Sequence, residues 1–326
     1  MHAQCGSLNR AVVVRNQIEF GLAATLSSHA ERFYEEDFRL DAGTELYLDL
    51  LKRCLMNSIY SSSEVRELVP SRTWKRLLFE NILQPLLRRA GARVVVPYEY
   101  DEQKRLNGTD WSPMAHTMIG RKRLDNLQQC IQVVSDNAVP GDFIETGVWR
   151  GGATIFMRGM LKALGDTSRT VWVADSFAGL PAPDERSYPK DKGDIHHTHK
   201  ELAVSLEAVQ ENFRKYDLLD DQVRFLKGWF KDTLPTAPIQ KLAILRLDGD
   251  MYESTMDGLN NLYSKLSVGG FVIVDDYGAV PACREAVHDF RRDKLVTDEI
   301  IRIDWGGVFW QKTSTSSQSA RLTADG

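Results

Sequence analysis

From Pro140-Gly141 onward, short and nearly continuous apolar runs alternate with amphipathic stretches, and this rhythm restricts the fold more than any other feature of the chain. The runs are Phe143 to Thr146, Thr170 to Ala174, Val223 to Leu226, Leu242 to Leu247 and Phe271 to Val274. They are rich in β-branched and aromatic residues and nearly unbroken, as strands buried on both faces must be. Between them, Leu202, Leu206, Val209, Phe213 and Tyr216 recur every three or four residues, as do Thr255, Leu259, Leu262 and Leu266, the period of crossover helices. Such alternation predicts an α/β fold with a doubly wound, mostly parallel sheet. Ile300 to Ile303 and Val308 to Trp310 flank Gly306-Gly307 and predict an antiparallel hairpin closing one edge.

Outside this core at 140–312, residues 44–139 read as a helical N-terminal region. Tyr47, Leu51 and Leu55 fall four apart beside Leu46 and Leu50, and a second helical pattern runs from Trp74 to Leu87. Apolar helices outside a sheet need cover, either from the domain itself or from a second copy, and a homo-oligomer is the expectation. Residues 1–43 form an arm of mixed composition to which no chemistry attaches, and 313–326 is a polar, Ser-rich tail expected to be disordered.

With 41 Lys plus Arg against 45 Asp plus Glu, the net charge of −4 supplies no field to recruit nucleic acid or an anionic membrane. Cys5, Cys54, Cys130 and Cys283 lie far apart without a Cys-x-x-Cys pair, which argues for reduced thiols. Arg15 interrupts the apolar stretch Ala11 to Val14, and no run approaches the roughly 18 apolar residues of a membrane span, so a cytoplasmic protein is expected.

In an open α/β sheet, ligands bind where the strands end at their carboxyl side. Glu145-Thr146-Gly147-Val148-Trp149-Arg150-Gly151-Gly152 closes the first strand, and its glycines allow a tight turn and close approach to a ligand, although such turns are often only structural. Asp175, followed by Ser176, ends the second strand, where a carboxylate either accepts both hydroxyl protons of a ribose or caps the next turn. The spacing is not Gly-x-Gly-x-x-Gly, and Asp175 lies later than the roughly 20 residues a nicotinamide fingerprint requires. Lys227-Gly228-Trp229-Phe230 follows the third strand, with rings suited to flanking an adenine or to core packing.

Asp248-Gly249-Asp250 and Asp275-Asp276-Tyr277 close the fourth and fifth strands. Neighbouring strands lie about 4.8 Å apart, so Asp248, Asp275 and Asp276 can meet at one point. There they would repel one another unless a cation sat between them, and an all-oxygen set suits Mg²⁺, Mn²⁺ or Ca²⁺. Loop solvation or helix capping explains any one of these residues better than a metal does, but two clusters ending adjacent strands beside a cofactor-type turn favour a metal. Arg246 shares a face with Asp248 and reads as a structural ion-pair partner. His196, His197 and His199 follow the Pro- and charge-rich loop from Pro181 and are either solvated lid residues or candidates for substrate contact and general-base work.

Several blocks, taken together, match a known family: Asp110-Trp111, Ala115 to Gly120, Arg123 to Leu127, Glu145 to Gly152, Ala174 to Pro181, Lys227 to Phe230, Arg246 to Tyr252 and Asp275 to Tyr277. In this order they resemble the macrocin O-methyltransferases, which methylate sugar hydroxyls on macrolide and aminocoumarin antibiotics. The resemblance spans roughly residues 44 to 312 and leaves the arm outside. It implies a class I methyltransferase (Rossmann-like) fold, with S-adenosylmethionine over Glu145, Gly147 and Asp175 and a metal on Asp248, Asp275 and Asp276. The cofactor set expected on both grounds is Met118, Glu145, Gly147, Trp149, Asp175, Ser176, Gly228, Trp229 and Phe230. The expected partner is a small-molecule glycoside, with Asp248 as first proton acceptor, the histidines in reserve, and Asp275→Ala inactive but folded. A non-catalytic nucleotide-binding module and a nicotinamide oxidoreductase are the rival readings.

Overall fold

The computed structural model describes residues 40–314 except 69, 71, 72 and 111, so most of the arm, nearly all of the tail and Trp111 lie outside the described residues. Helix α1 (Ala42–Leu55) starts where the Asp41 carboxylate accepts the Gly43 and Thr44 amides. It buries Leu48, Leu51 and Leu55 and leaves Leu46 and Leu50 exposed. Strand β1 (Val65–Glu67) follows, then α2 (Thr73–Leu78), which passes through a π-helical stretch at Phe79–Leu83 into α3 (Gln84–Arg89). Strand β2 (Val95–Pro97) pairs antiparallel with β1. The region that reads as helical thus also holds a small sheet, whose three-residue strands are too short to leave a period in the sequence. Helices α4 (Glu102–Asn107) and α5 (Arg121–Asp136) lead into the core.

The core runs β3 (Asp142–Thr146), α6 (Gly152–Ala163), β4 (Val171–Asp175), α7 (Leu206–Lys215), β5 (Val223–Lys227), α8 (Phe230–Thr233), β6 (Leu242–Leu247), α9 (Tyr252–Leu262), β7 (Leu266–Val274), α10 (Pro281–Asp293), β8 (Ile301–Arg302) and β9 (Val308–Gln311). The sheet order is β5-β4-β3-β6-β7-β9-β8. The first five strands are parallel, and β9 runs antiparallel to both β7 and β8, giving the doubly wound sheet with an antiparallel edge that the sequence predicts. Every residue of β6 is buried. The chain winds outward from β3 through β4 to β5 and then returns to β6, so the topological switch lies between β3 and β6, where α/β folds bind their ligands.

Two elements differ from their sequence pattern. Strand β7 begins at Leu266, five residues before Phe271, because Gly269 and Gly270 interrupt the apolar run without ending the strand. Leu202 lies in a 3₁₀ turn, since Ser205 caps α7 and starts it at Leu206. Among the described residues no helix is long and apolar enough to cross a membrane. Cys54, Cys130 and Cys283 are free thiols.

The N-terminal region is bolted to the core by His116, whose Nδ1 lies 2.6 Å from the Tyr216 hydroxyl at the end of α7. Burial, reinforced by Lys215 and Arg150, lowers the His116 pKa to about 4. The folded state therefore resists a proton that the unfolded chain takes up near pH 6.5, so stability is complete above that value and is lost as pH falls toward 4. The loss from this group is at most about 3 kcal/mol. In urea titrations from about pH 7 to about pH 4.5, His116→Gln should lose less stability than the parent protein. Equal losses would remove His116 as the cause.

Candidate active site

The ends of β3, β4, β5 and β6 open into a cleft of about 850 Å³. Gly147, Trp149, Asp175, Ser176, Gly228, Trp229, Phe230 and Met118 line it, which accounts for all the expected cofactor residues but Glu145. Gly147 has φ +84°, and a Cβ there would lie 1.7 Å from the Asp248 carbonyl oxygen, so β3 and β6 can converge only on glycine. Trp149, Phe177 and Asp250 take left-handed conformations at the ends of β3, β4 and β6, strain of the kind that concentrates at working sites. Asp175 braces two of these turns, accepting the Val148 amide at 2.8 Å and the Phe177 amide at 2.7 Å. Burial raises its pKa against the pull of those amides. Capping does not exhaust a carboxylate, because each oxygen retains a second acceptor site for a ligand hydroxyl.

A second cavity, of about 1270 Å³, adjoins the first. Glu145, Asp248, Asp250, Asp275, Asp276 and His196 line it, as do Arg123, Val280 and Trp305. Met118, Trp149, Leu202, Asp248 and Asp250 line both cavities and form the wall they share.

Asp248, Asp275 and Asp276 each bring a carboxylate oxygen to within 4.8 Å of the others. Two guanidiniums hold part of this charge. Arg246, 1% exposed, pairs with Glu145 at 2.5 Å, with Asp248 at 2.7 Å and with Asp275. Arg123 pairs with Asp304 at 2.8 Å and with the other oxygen of Asp275. Asp275→Ala would thus strip a partner from two buried cations and cost stability, contrary to the expectation of an intact fold.

Two guanidiniums face six carboxylates here: Glu145, Asp248, Asp250, Asp275, Asp276 and Asp304. Asp276 has no ion-pair partner among the described residues, and its Oδ2 accepts the Asp250 amide at 3.1 Å. Burial, with Asp250 and Asp248 beside it, raises the Asp276 pKa well above the usual range. Burial and Asp275 raise Asp248 to about 7, and burial raises Glu145 to about 8 against the pull of Arg246. The Glu145 Oε2 atom is buried without a hydrogen-bond partner. This excess of oxygen ligands and negative charge fits a hard divalent cation.

Of the lid histidines, His196 reaches the second cavity, with Nδ1 2.7 Å from Asp194. Burial disfavours its charge, but Asp194 and Asp250 outweigh burial and raise its pKa. The His199 ring lies 6.2 Å from that of His196 and is tilted 46° to it, while His197 is exposed and lines neither cavity. The lid is fastened at its middle and at its carboxyl end. Asp191 accepts the Tyr252 and Glu253 amides at the start of α9, Lys190 bridges to Glu285 and Asp289, and the Trp149 indole donates to the Glu201 carbonyl. Sequence reasoning missed Asp250, Asp194, Arg123 and Trp305 as site residues. For Asp250 the signal was its place two residues after Asp248.

Comparison with known proteins bears on the chemistry. The family model for macrocin-O-methyltransferase (TylF) matches residues 44–312. The 8-demethyl-8-(2,3-dimethoxy-α-L-rhamnosyl)-tetracenomycin-C 4'-O-methyltransferase of Streptomyces olivaceus is 51% identical over 276 residues, covering 84% of this chain and 95% of that protein. The mycinamicin III 3''-O-methyltransferase of Micromonospora griseorubida is 49% identical over 275 residues, covering 83% and 98%. The solved structure of the O-methyltransferase NovP superposes with a TM-score of 0.72 at 50% identity, covering 83% of this chain and all of that one. A strand-end cleft over a doubly wound sheet with an antiparallel edge, and a family match over residues 44–312, place this chain in the macrocin-O-methyltransferase family, as an O-methyltransferase dependent on S-adenosylmethionine.

Proposed function

We propose that this enzyme methylates a sugar hydroxyl of a glycosylated natural product, of macrolide or aminocoumarin type, with Mg²⁺ or a similar hard cation held by Asp248, Asp275 and Asp276. The observation that carries the proposal is the shared wall: Asp248 belongs at once to the carboxylate cluster, to the strand-end cleft and to the second cavity. The relatives' names specify methylation at 4' of a rhamnosyl-bearing tetracenomycin and at 3'' of mycinamicin III, which supports a sugar acceptor.

The strand-end cleft suits S-adenosylmethionine, which supplies an electrophilic methyl group when bound. Asp175 would take its ribose hydroxyls, Trp229 and Phe230 would flank its adenine, and the Gly147 and Gly228 turns would let the backbone approach it. A bound cation supplies Lewis acidity that lowers the pKa of a coordinated hydroxyl. Asp248 would accept the hydroxyl proton at its carboxylate, and His196, oriented by Asp194, is the second candidate. His197, on the exposed side of the lid, is left with lid solvation. With Lys190 and Asp191 fastened to α9 and α10, the lid would keep water from the shared wall.

A second copy of the chain is proposed to cover the apolar face left open by the N-terminal helices. Leu46 and Leu50 on α1 and Trp74, Leu77, Leu78 and Leu86 on α2 and α3 are each more than half exposed.

Incubating the protein with S-adenosylmethionine, Mg²⁺ and a panel of macrolide and aminocoumarin glycosides should give a product heavier by one methylene in mass spectra. Chelation should abolish the product and added Mg²⁺ restore it, whereas full turnover in chelator would end the metal proposal. Asp276→Asn should lower kcat at least about a hundredfold. It should leave the melting temperature of metal-free protein unchanged or higher, because a buried carboxylate with a raised pKa opposes folding when charged. Light scattering should give twice the chain mass, and Leu78→Glu combined with Leu86→Glu should give the single-chain mass. A monomeric parent protein would remove the dimer.

A further inference from the structure

We propose that Trp305 is the platform on which the C–H face of the acceptor's sugar ring stacks, and so sets acceptor affinity without taking part in proton or methyl transfer. This inference rests on the sugar-methylation reading above and concerns the outer part of the same cavity.

Trp305 is 43% exposed on a turn whose neighbours Asp304, Gly306 and Gly307 are all buried. Single exposed apolar residues are ordinary on protein surfaces. This one lines the cavity that contains the carboxylate cluster, and it is fixed from several directions. Its indole N–H donates to the Asn107 carbonyl at 2.8 Å, so its polar end is already satisfied. The turn beneath it is locked by Asp304, whose Oδ1 accepts the Gly306 and Gly307 amides at 2.9 and 2.7 Å. The Arg123 guanidinium lies 5.2 Å from its ring centroid. What Trp305 has left to offer a ligand is the apolar ring face that Arg123 does not cover, on a side chain held in place.

The position of that surface selects the occupant. Arg123 covers one face of Trp305 and also pairs with Asp275, and the indole borders the same cavity as the carboxylate cluster. A ring whose hydroxyl lies at the cluster would present its neighbouring atoms to Trp305. A pyranose suits both surfaces, since its edge carries hydroxyls and its faces carry C–H groups, and a held aromatic ring costs no side-chain entropy on binding. The aglycone would then lie farther out, toward solvent.

The test uses the full-length enzyme, Trp305→Ala and Trp305→Phe. With a glycoside that the parent enzyme methylates, Ala should raise the acceptor KM about tenfold and leave kcat and the S-adenosylmethionine KM within about twofold. Phe, which keeps a ring but loses the bond to Asn107, should stay within about threefold of the parent KM. In saturation-transfer NMR, methyl α-L-rhamnopyranoside should show saturated ring protons with the parent and Phe proteins and lose them with Ala. An unchanged acceptor KM in the Ala variant, or equal losses in Ala and Phe, would overturn the proposal. If the parent enzyme methylates no glycoside of the panel, the sugar-methylation reading fails by itself and the NMR experiment alone judges Trp305: saturation lost only with Ala supports the platform, and no saturation with the parent protein overturns it.

Discussion

The structure turns on one buried cation. Arg246 sits one residue from the carboxyl end of a strand with no exposed residue and joins the carboxylates of Glu145, Asp248 and Asp275, which end three neighbouring strands, β3, β6 and β7. Removing one partner from such a buried network typically costs about 3–5 kcal/mol, because the remaining charges keep their desolvation penalty. The same guanidinium fixes where the strand ends lie relative to one another. It allows acidic groups to approach closely without neutralising all of them, and the remaining charge is what would attract a divalent ion.

Arg123 extends this logic beyond the sheet. It stands on α5, before the first core strand, yet its partners Asp275 and Asp304 belong to the end of β7 and to the turn of the edge hairpin. The N-terminal region is therefore tied into the site. Thr117, Met118 and Ile119 enter the second cavity, and they follow a segment pinned by the buried cluster of Arg105 with Glu64 and Asp110. A region with little chemistry of its own shapes the site by carrying these residues on a rigid base.

Legibility in the sequence followed the range of the interactions. Strands buried on both faces write continuous apolar runs, so the sheet, its crossover helices and the Gly306-Gly307 hairpin were readable locally, and so was the convergence of Asp248 with Asp275 and Asp276 on adjacent strands. The partners of those carboxylates were not. Asp275 and Asp304 lie 152 and 181 residues from Arg123, and nothing in a single chain's pattern links them. Asp194 was hidden in a loop without periodicity, and the start of β7 behind two glycines. The residues alone led to a nucleotide-type cleft beside an oxygen-ligand site. The choice of methyl transfer came from the family likeness, now carried by the match across residues 44–312.

The two cavities are built from different parts of the chain, and this bears on how such an enzyme changes its acceptor. The strand-end cleft is framed by the turns after β3, β4, β5 and β6, where left-handed residues and Gly147 leave little room for substitution. The second cavity takes its other walls from the edge-hairpin turn, the start of α10, the lid and the segment after α4, all of which lie outside the strands of the sheet. Loops that do not hold the core tolerate sequence change better than the elements they connect. Substitutions there can reshape what enters the second cavity while Arg246 and the shared wall keep the strand-end cleft and the carboxylates in fixed relation. On the proposed assignment of this cavity to the sugar acceptor, acceptor range can therefore shift at little cost to the central sheet.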